Sequence, residues 1–164
     1  METDTTRPLV RRNRRVAMGD VDAARILYFA APYRWLEELL TGWCKAIEHP
    51  VSGMFREGSG CPSVASAAQY VAPLALDDEI SVALYPSSIG HTSFSVTAVA
   101  SRIDDGRVMV KVTSWHAWAL FGEDDTGAVT LRAQPLPDWL RDGLAASTLI
   151  QPATPRPAAT PIRL

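Results

Sequence analysis

Cysteine, histidine and unbalanced charge are all scarce in this chain of 164 residues. Its two cysteines are too few for the dense disulfide framework of a small secreted domain, and they lack the C-x-x-C spacing of a zinc site. Its three histidines do not follow the spacing of a histidine metal site, so we expect no metal and no cofactor. A formal net charge of −2 does not indicate the basic surface of a nucleic-acid-binding protein, and we expect no nucleic-acid partner.

Apolar segments that target a chain to secretion or to a membrane are also missing. Residues 2–7 are polar, and no apolar signal region follows them. The charge-free run at residues 80–101 contains Pro86 and Gly90, and its apolar residues alternate with polar ones. That pattern is typical of strands rather than of a spanning helix. We therefore expect a cytoplasmic protein that does not enter a membrane.

One amphipathic helix dominates the apolar pattern that is present. Its apolar face is formed by five residues at helical spacing, namely Leu36, Leu39, Leu40, Trp43 and Ile47. Pro32 suits the first turn of a helix, and Pro50 stops the run. These features predict a helix over residues 31–48, long enough to lie across a sheet.

The remaining apolar segments alternate with period two, which predicts antiparallel strands. The predicted strands are residues 10–18, 64–71, 80–85, 94–100, 108–121 and 129–132, with residues 87–93 as a loop. A small helix is expected at residues 138–146, with Asp138 as its N-cap. One long helix against successive antiparallel strands predicts an α+β fold.

The same pattern divides the chain into one domain and two tails. We expect the domain at residues 10–146, after a flexible tail at residues 1–9. Residues 147–164 are expected to be a second tail, mobile or extended. Their four prolines prevent regular structure, and they have little apolar surface to bury.

The connection between the first strand and the long helix carries two acids, Asp20 and Asp22. A helix N-terminus presents unpaired N–H groups and a partial positive charge, which stabilise a developing oxyanion. A carboxylate beside it can attack a carbonyl carbon or activate a water molecule. The alternative is that both acids only cap the connection.

The sequence around these acids resembles the 4-hydroxybenzoyl-CoA thioesterase family of the hot-dog fold. The family signature is close to G-D-x-D-x-A-G-I-V-Y-[FY], followed by R-W-x-[ED], and residues 19–29 read GDVDAARILYF, followed by RWLE at residues 34–37. The resemblance covers about residues 10–121, more weakly at Gly60, Cys61 and Pro62. It implies a long helix wrapped by an antiparallel sheet of five or six strands. One departure is Arg25, which stands where the signature has glycine; its charge could act on Asp22 or on an acidic substrate group, or point to solvent.

The resemblance also implies roles for individual residues. Asp22 would be the catalytic nucleophile or general base, the backbone N–H of Phe29 would donate to the oxyanion, and Asp20 would shape the turn. Substrate contacts would come from Tyr28, Tyr33 and Cys61 near the acyl group, and from His91, Thr92 and Ser93 near the pantetheine arm. For the two tyrosines and the cysteine, core packing is the alternative, and for residues 91–93 it is an ordinary strand connection. No histidine is placed by the sequence to activate Cys61 as a nucleophile.

Together these features predict a thioesterase that hydrolyses an acyl-CoA or acyl-carrier-protein thioester with an aromatic or polyketide-type acyl group. No basic cluster lies near His91 to meet CoA phosphates, which keeps the carrier protein open as the donor. Hot-dog subunits pair to complete their sites, so we expect a homodimer or homotetramer. Two alternatives remain: a non-catalytic acyl-thioester-binding protein, and a hot-dog dehydratase, which would need a histidine beside the acid.

Overall fold

The computed structural model describes residues 6–153, which fold as one sheet wrapped around a long helix, with a smaller sheet beside it. In chain order the elements are β1 (Val10–Arg15), α1 (Ala31–Ala46), α2 (Val51–Arg56), β2 (Ser59–Gly60), β3 (Ser63–Tyr70), β4 (Glu79–Ile89), β5 (Ser93–Arg102), β6 (Val108–Ala117), β7 (Ala119–Glu123), β8 (Val129–Ala133) and α3 (Asp138–Ala145). The large sheet has the strand order β1-β4-β5-β6-β3, and each neighbouring pair is antiparallel. The small sheet has the order β2-β7-β8.

Helix α1 packs its apolar face on the large sheet. Of the predicted apolar face, Leu36, Leu39 and Trp43 are buried, whereas Leu40 and Ile47 are half-buried. Trp35, which was not assigned to that face, is buried as well. Burial of each large apolar side chain stabilises the fold by about 1.5–3 kcal/mol relative to exposure. Within residues 6–153, no helix has the length and hydropathy of a membrane span.

The strands supply the other half of the core through their alternation. The face of the sheet towards α1 is lined by Val82, Leu84, Val96, Ala98, Val110 and Val112, all of which are buried. Residues between them, such as Thr97 and Thr113, point to the opposite face. The predicted α+β architecture, a long helix wrapped by a five-stranded antiparallel sheet, is confirmed.

Several element boundaries differ from the prediction. The loop predicted at residues 87–93 is shorter in the structure, residues 90–92, because β4 runs on to Ile89 and β5 begins at Ser93. Ser88 pairs with Ser95 in the ladder, and the hydroxyls of these two residues lie 2.7 Å apart. The single strand predicted at residues 108–121 is wrong as well, because the chain leaves the large sheet at Trp118 and continues as β7 of the small sheet.

The helices also differ in detail from their predictions. Helix α2 follows directly after Pro50, where only the end of α1 was predicted. Asp138 is the first residue of α3 and not its N-cap, a position that Pro137 occupies.

The described parts of both predicted tails lie against the sheet. The amide of Leu9 donates to the carbonyl of Leu84 at 2.8 Å, and that of Ile150 donates to the carbonyl of Pro86 at 3.0 Å. The amide of Ala153 donates to Oγ1 of the buried Thr113 at 2.7 Å. Residues 6–9 and 147–153 are therefore anchored by backbone donors, which composition alone does not reveal. The other tail residues, 1–5 and 154–164, lie outside the described part of the chain.

Candidate active site

A tight backbone turn between β1 and α1 carries Asp22. Val21 pairs with Leu27 in an isolated antiparallel bridge, and the amide of Asp22 donates to the carbonyl of Ile26 at 3.0 Å. The amide of Arg25 donates back to the carbonyl of Asp22 at 2.9 Å. Arg25 has a φ of 65°, in the left-handed region that favours glycine. The glycine in the resembled signature thus falls where this turn demands a positive φ.

The turn holds the Asp22 carboxylate by one oxygen only. Oδ1 accepts a hydrogen bond from the amide of Ala24 at 2.8 Å, while Oδ2 has no partner within residues 6–153. The Asp22 side chain is exposed, as is that of Arg25, whose guanidinium makes no ion pair with it. One carboxylate oxygen is therefore oriented by the backbone and the other is available.

The backbone of Phe29 lies two residues before α1, which begins at Ala31. Its N–H has no acceptor in the described part of the chain, and its carbonyl accepts a hydrogen bond from the Tyr70 hydroxyl. Burial, followed by the proximity of Tyr33, raises the pKa of Tyr70, which keeps the phenol protonated as a donor. Sequence reasoning missed Tyr70, because nothing in a β-strand pattern signals a hydrogen bond to a residue 41 positions away.

Asp22 and Phe29 line one cavity of about 430 Å³, which we call the Asp22 cavity. Its wall also includes Tyr70 and apolar residues, namely Ile26, Leu27, Val71, Ala72, Pro73 and Leu74. Asp22 and Phe29 thus border a common apolar space, and within residues 6–153 one carboxylate oxygen of Asp22 and the N–H of Phe29 have no partner. This combination of groups suits attack on a carbonyl carbon whose oxygen accepts a hydrogen bond from the N–H. Among residues 6–153, no cluster of histidine, cysteine, aspartate or glutamate is arranged to hold a metal ion.

Asp20 occupies the opposite environment, although it lies only two residues away. It is 4% exposed, and its carboxylate accepts four hydrogen bonds. The donors are the Arg14 guanidinium at 3.3 Å, the Ala17 amide at 3.0 Å, the Arg34 guanidinium at 3.3 Å and the Trp35 indole at 3.2 Å. Asp20 therefore joins β1 to the first turns of α1 and fixes the segment from which Asp22 projects.

A second cavity, also of about 430 Å³, runs between α1 and the β3–β6 side of the sheet. We call it the α1 cavity; its wall includes Tyr33, Cys44, Met54, Cys61, Phe94 and His116. It thus contains two of the predicted substrate-contact residues, Tyr33 and Cys61. Tyr33 lines the α1 cavity, whereas Tyr70 lines the Asp22 cavity.

Neither cysteine of the α1 cavity has the properties of a nucleophile. Burial raises the pKa of Cys61 to about 12 and that of Cys44 to about 11, so both thiols stay protonated near neutral pH. The structure does bring a histidine to Cys61, which the sequence did not indicate. His116 Nδ1 lies 2.9 Å from the backbone carbonyl oxygen of Cys61, and no hydrogen bond joins the ring to the thiol.

The other predicted contact residues are dispersed. The Tyr28 ring packs edge-to-face on that of Phe29, with centroids 4.8 Å apart, and does not line either cavity. His91, Thr92 and Ser93 form the turn between β4 and β5 and its edge, at the opposite end of the sheet from Asp22. Tyr70 pairs with Val110 of β6, and Ser93 pairs with Ala117 of the same strand. Along β6, Val110 and Ala117 are about 23 Å apart. Residues 91–93 therefore do not meet Asp22 within one chain.

A long helix wrapped by an antiparallel sheet, with an acid in the turn before the helix, defines the hot-dog fold predicted from the sequence. The chain belongs to the thioesterase-like superfamily, whose family model matches residues 16–144. The family resemblance is thereby confirmed.

Individual relatives give the same picture. The chain is 30% identical over 105 residues to a 1,4-dihydroxy-2-naphthoyl-CoA hydrolase of Prochlorococcus marinus, a match that covers 57% of this chain and 68% of that protein. It is 27% identical over 92 residues to the protein of the same name from Prochlorococcus marinus subsp. pastoris, and the match covers 51% of this chain and 59% of that protein. A solved gentisyl-coenzyme A thioesterase superimposes with a TM-score of 0.67 at 25% identity, over 80% of this chain and 99% of that one.

Proposed function

We propose that this protein is a thioesterase that hydrolyses an acyl-CoA or acyl-carrier-protein thioester. The observation that carries the proposal is the Asp22 cavity, whose apolar wall includes Asp22 and Phe29. Within residues 6–153, one carboxylate oxygen of Asp22 and the N–H of Phe29 have no hydrogen-bond partner. Family membership and the names of the relatives support the same reaction class.

The proposed mechanism uses Asp22 and Phe29 in complementary roles. The thioester carbonyl oxygen accepts a hydrogen bond from the Phe29 N–H, and this bond stabilises the negative charge that develops on the oxygen. Asp22 either attacks the carbonyl carbon, which gives a mixed anhydride that water then hydrolyses, or removes a proton from an attacking water. In both routes the C–S bond breaks, the thiol leaves after protonation, and the acyl group departs as a carboxylic acid.

The acyl group is proposed to be aromatic or of polyketide type. The named relatives act on dihydroxynaphthoyl-CoA, and the similar solved structure is a gentisyl-CoA thioesterase. The α1 cavity offers an apolar space with aromatic side chains, including Tyr33, Phe55 and Phe94. Such a space suits a large apolar acyl group.

Two further parts of the proposal concern the protein's surroundings. Both cysteines are free thiols in the structure, which suits a reducing compartment, and we place the protein in the cytoplasm on this basis. We also propose a homodimer or homotetramer, because apolar side chains are exposed around Asp22 and β3 is an edge of the sheet. These exposed side chains are Ile26 (45%), Phe29 (65%), Tyr70 (46%) and Val71 (49%). Contact of residues 91–93 with the substrate of Asp22 requires such a second copy.

The structure disfavours the dehydratase alternative. All three histidines lie within residues 6–153, and none lines the Asp22 cavity. His49 stacks on Trp139 near α3, His91 lies in the β4–β5 turn, and His116 lies in the α1 cavity. A histidine–acid pair for dehydration is therefore absent around Asp22.

The experiment that tests the proposal compares D22N with a matched surface variant, D125N, whose acid is exposed in the β7–β8 turn. Hydrolysis is followed as release of free thiol from 4-hydroxybenzoyl-CoA, longer acyl-CoA thioesters and their carrier-protein equivalents. We expect D22N to lose at least about a hundredfold in kcat, in the range of a general base or nucleophile, and D125N to match the wild type. Binding of these thioesters without thiol release by the wild type would instead favour a non-catalytic binding protein.

A further inference from the structure

A third cavity lies on the outer face of the large sheet, which points away from α1. Its volume is about 610 Å³, and we call it the outer cavity. Residues of β1, β4, β5 and β6 form its floor, and the β5–β6 turn and residues 150–151 form its sides. It shares no wall residue with the Asp22 cavity or with the α1 cavity. The outer cavity is therefore separate from the site proposed for thioester hydrolysis.

Cationic side chains collect in the outer cavity, although acids outnumber bases in the chain by eighteen to sixteen. In the part of the chain that the structure describes, its wall contains Arg11, Arg102 and Lys111 and no aspartate or glutamate. Arg102 Nη2 lies 3.7 Å from a carboxylate oxygen of Asp78. Arg11 and Lys111 make no ion pair within residues 6–153. Two positive charges of this wall are therefore not neutralised by a neighbouring carboxylate.

Strand register places these two cations at opposite ends of one row across the sheet. Arg11 of β1 pairs with Ala83 of β4. Ala83 pairs with Val99 of β5, which in turn pairs with Lys111 of β6. The row crosses three strand spacings, about 14 Å, and only the short side chains of Ala83 and Val99 lie between the cations. Because arginine and lysine side chains are long, both reach a ligand group above these two residues.

A hydrogen bond directs Arg11 towards the middle of the sheet. Nη2 of Arg11 donates to the hydroxyl of Tyr85 at 3.2 Å. Tyr85 lies on β4, the neighbour of β1, and its side chain is buried, so the hydroxyl is a fixed anchor. The guanidinium is thus held over the sheet instead of extending from the edge strand into solvent. Such preorganisation lowers the entropic cost of binding a ligand.

We propose that the outer cavity binds a small phosphate monoester through its phosphate group. A phosphate monoester carries a charge of about −1.5 to −2 at pH 7, which matches the two unpaired cations, whereas a carboxylate balances only one. Arginine offers a planar fork of donors and lysine a compact charge, and both bind phosphate oxygens. The cavity is larger than a phosphate ion, so the organic part of the ester rests against the remaining wall. That wall includes Val99, Val108 and Ile150 and the amides of Asn13 and Gln151.

The test measures the affinity of the whole chain for AMP, adenosine and inorganic phosphate by calorimetry. AMP is a phosphate monoester, and adenosine is the same molecule without the phosphate. We expect wild type to bind AMP at least about tenfold more tightly than either of the other two, because only AMP makes both the charged hydrogen bonds and the contacts of the organic part. Equal affinity for AMP and adenosine would overturn the proposal. So would equal affinity for AMP and inorganic phosphate, which indicates an adventitious ion only, or no AMP binding up to about 10 mM.

Variants assign the binding to the two cations. R11Q and K111Q each remove one charge and should weaken AMP binding about tenfold, while R11K, which keeps the charge without the fork, should lie between R11Q and wild type. R107Q is the matched control, because Arg107 is exposed beside the same β5–β6 turn but is not part of the cavity wall. It should bind AMP as wild type does. Equal weakening in K111Q and R107Q would indicate general surface attraction and refute the site.

Urea denaturation gives a second readout and checks that each variant is folded. A ligand that binds only the folded state stabilises it, so AMP should raise the free energy of unfolding of wild type and not that of the double variant R11Q/K111Q. The same rise in both proteins would contradict the proposal. No thioester is present in these measurements, so their outcome does not depend on whether Asp22 acts in hydrolysis. Loss of the phosphate site would likewise leave the proposed thioesterase function intact.

Discussion

The hydroxyl of Tyr70 donates a hydrogen bond to the backbone carbonyl of Phe29, and so joins the end of β3 to the turn that precedes α1. The carbonyl of Phe29 and its N–H belong to adjacent peptide groups, so this bond restrains the direction of the N–H that is proposed to receive the oxyanion. Tyr70 is thus a positioning residue rather than a catalytic one.

Removal of this hydroxyl in Y70F should lower kcat about tenfold, equivalent to about 1.4 kcal/mol in the barrier, with little change in KM. The reason is that a misdirected N–H weakens stabilisation of the transition state more than it weakens binding of the ground state. Steady-state kinetics on an acyl-CoA thioester measure the two constants. Y85F is the matched control, since the Tyr85 hydroxyl bonds Arg11 away from the Asp22 cavity. A rise in KM with unchanged kcat would contradict the positioning role.

Replacement of each acid of the strand–helix connection by asparagine should affect stability differently: D20N should lower the free energy of unfolding, and D22N should leave it nearly unchanged. In D20N the Arg14 and Arg34 guanidiniums and the Trp35 indole lose a charged acceptor, which should lower the free energy of unfolding by about 2 kcal/mol. This loss is smaller than that for breaking a fully buried ion pair, because the Arg14 and Arg34 side chains are 27% and 50% exposed and solvent screens their charges. Urea denaturation measures the change.

D22N provides the control for this stability measurement. Asn keeps the Oδ1 acceptor that the Ala24 amide uses, so the free energy of unfolding of D22N should stay within about 0.5 kcal/mol of wild type. Equal destabilisation of the two variants would show that Asp20 is not the anchor of the segment.

These acids also show how much of the site follows from the sequence. Helical spacing and period-two alternation were sufficient for α1 and for the approximate positions of most strands along the chain, because both patterns follow directly from which side chains are buried. Composition does not distinguish Asp20 from Asp22; the family signature did so by position, and the structure adds that one is buried among four donors while the other is exposed.

Other features of the site were beyond a reading of local pattern. Tyr70 and His116 act through partners 41 and 55 residues away, and such pairings are set by strand register rather than by neighbours in the chain. Residues 91–93 were placed near the substrate by resemblance, yet one chain folds them at the other end of the sheet. The anchoring of residues 147–153 depends on a buried threonine hydroxyl, which a proline-rich composition does not indicate.

Arg25 should be a site of local backbone strain that glycine relieves. Its φ of 65° disfavours residues that carry a Cβ, and within residues 6–153 the guanidinium makes no ion pair that would compensate. R25G should therefore be more stable to urea than R25A by about 1 kcal/mol, because both variants remove the guanidinium and only R25G removes the Cβ. Identical stability of the two variants would show that the turn accommodates a Cβ without strain.

The buried neutral imidazole of His116 should make stability depend on pH below neutrality. Burial lowers the pKa of His116 in the folded state below its ordinary value of 6.5. Between these two pKa values, His116 is protonated in the unfolded chain and neutral in the folded chain. The free energy of unfolding should thus fall as pH decreases from about 6.5 towards the folded pKa, with a slope of at most about 1.4 kcal/mol per pH unit.

Urea denaturation of wild type and H116F between pH 7.5 and pH 5 isolates this contribution, because titrations common to both proteins cancel in the difference. The other titratable groups in the cavity wall are Tyr33, Glu37 and the thiols of Cys44 and Cys61, and all remain in H116F. The stability of wild type relative to H116F should decrease steadily as the pH is lowered. A difference that is flat over this range would mean that His116 titrates alike in the folded and unfolded chains, and that burial does not hold its imidazole neutral.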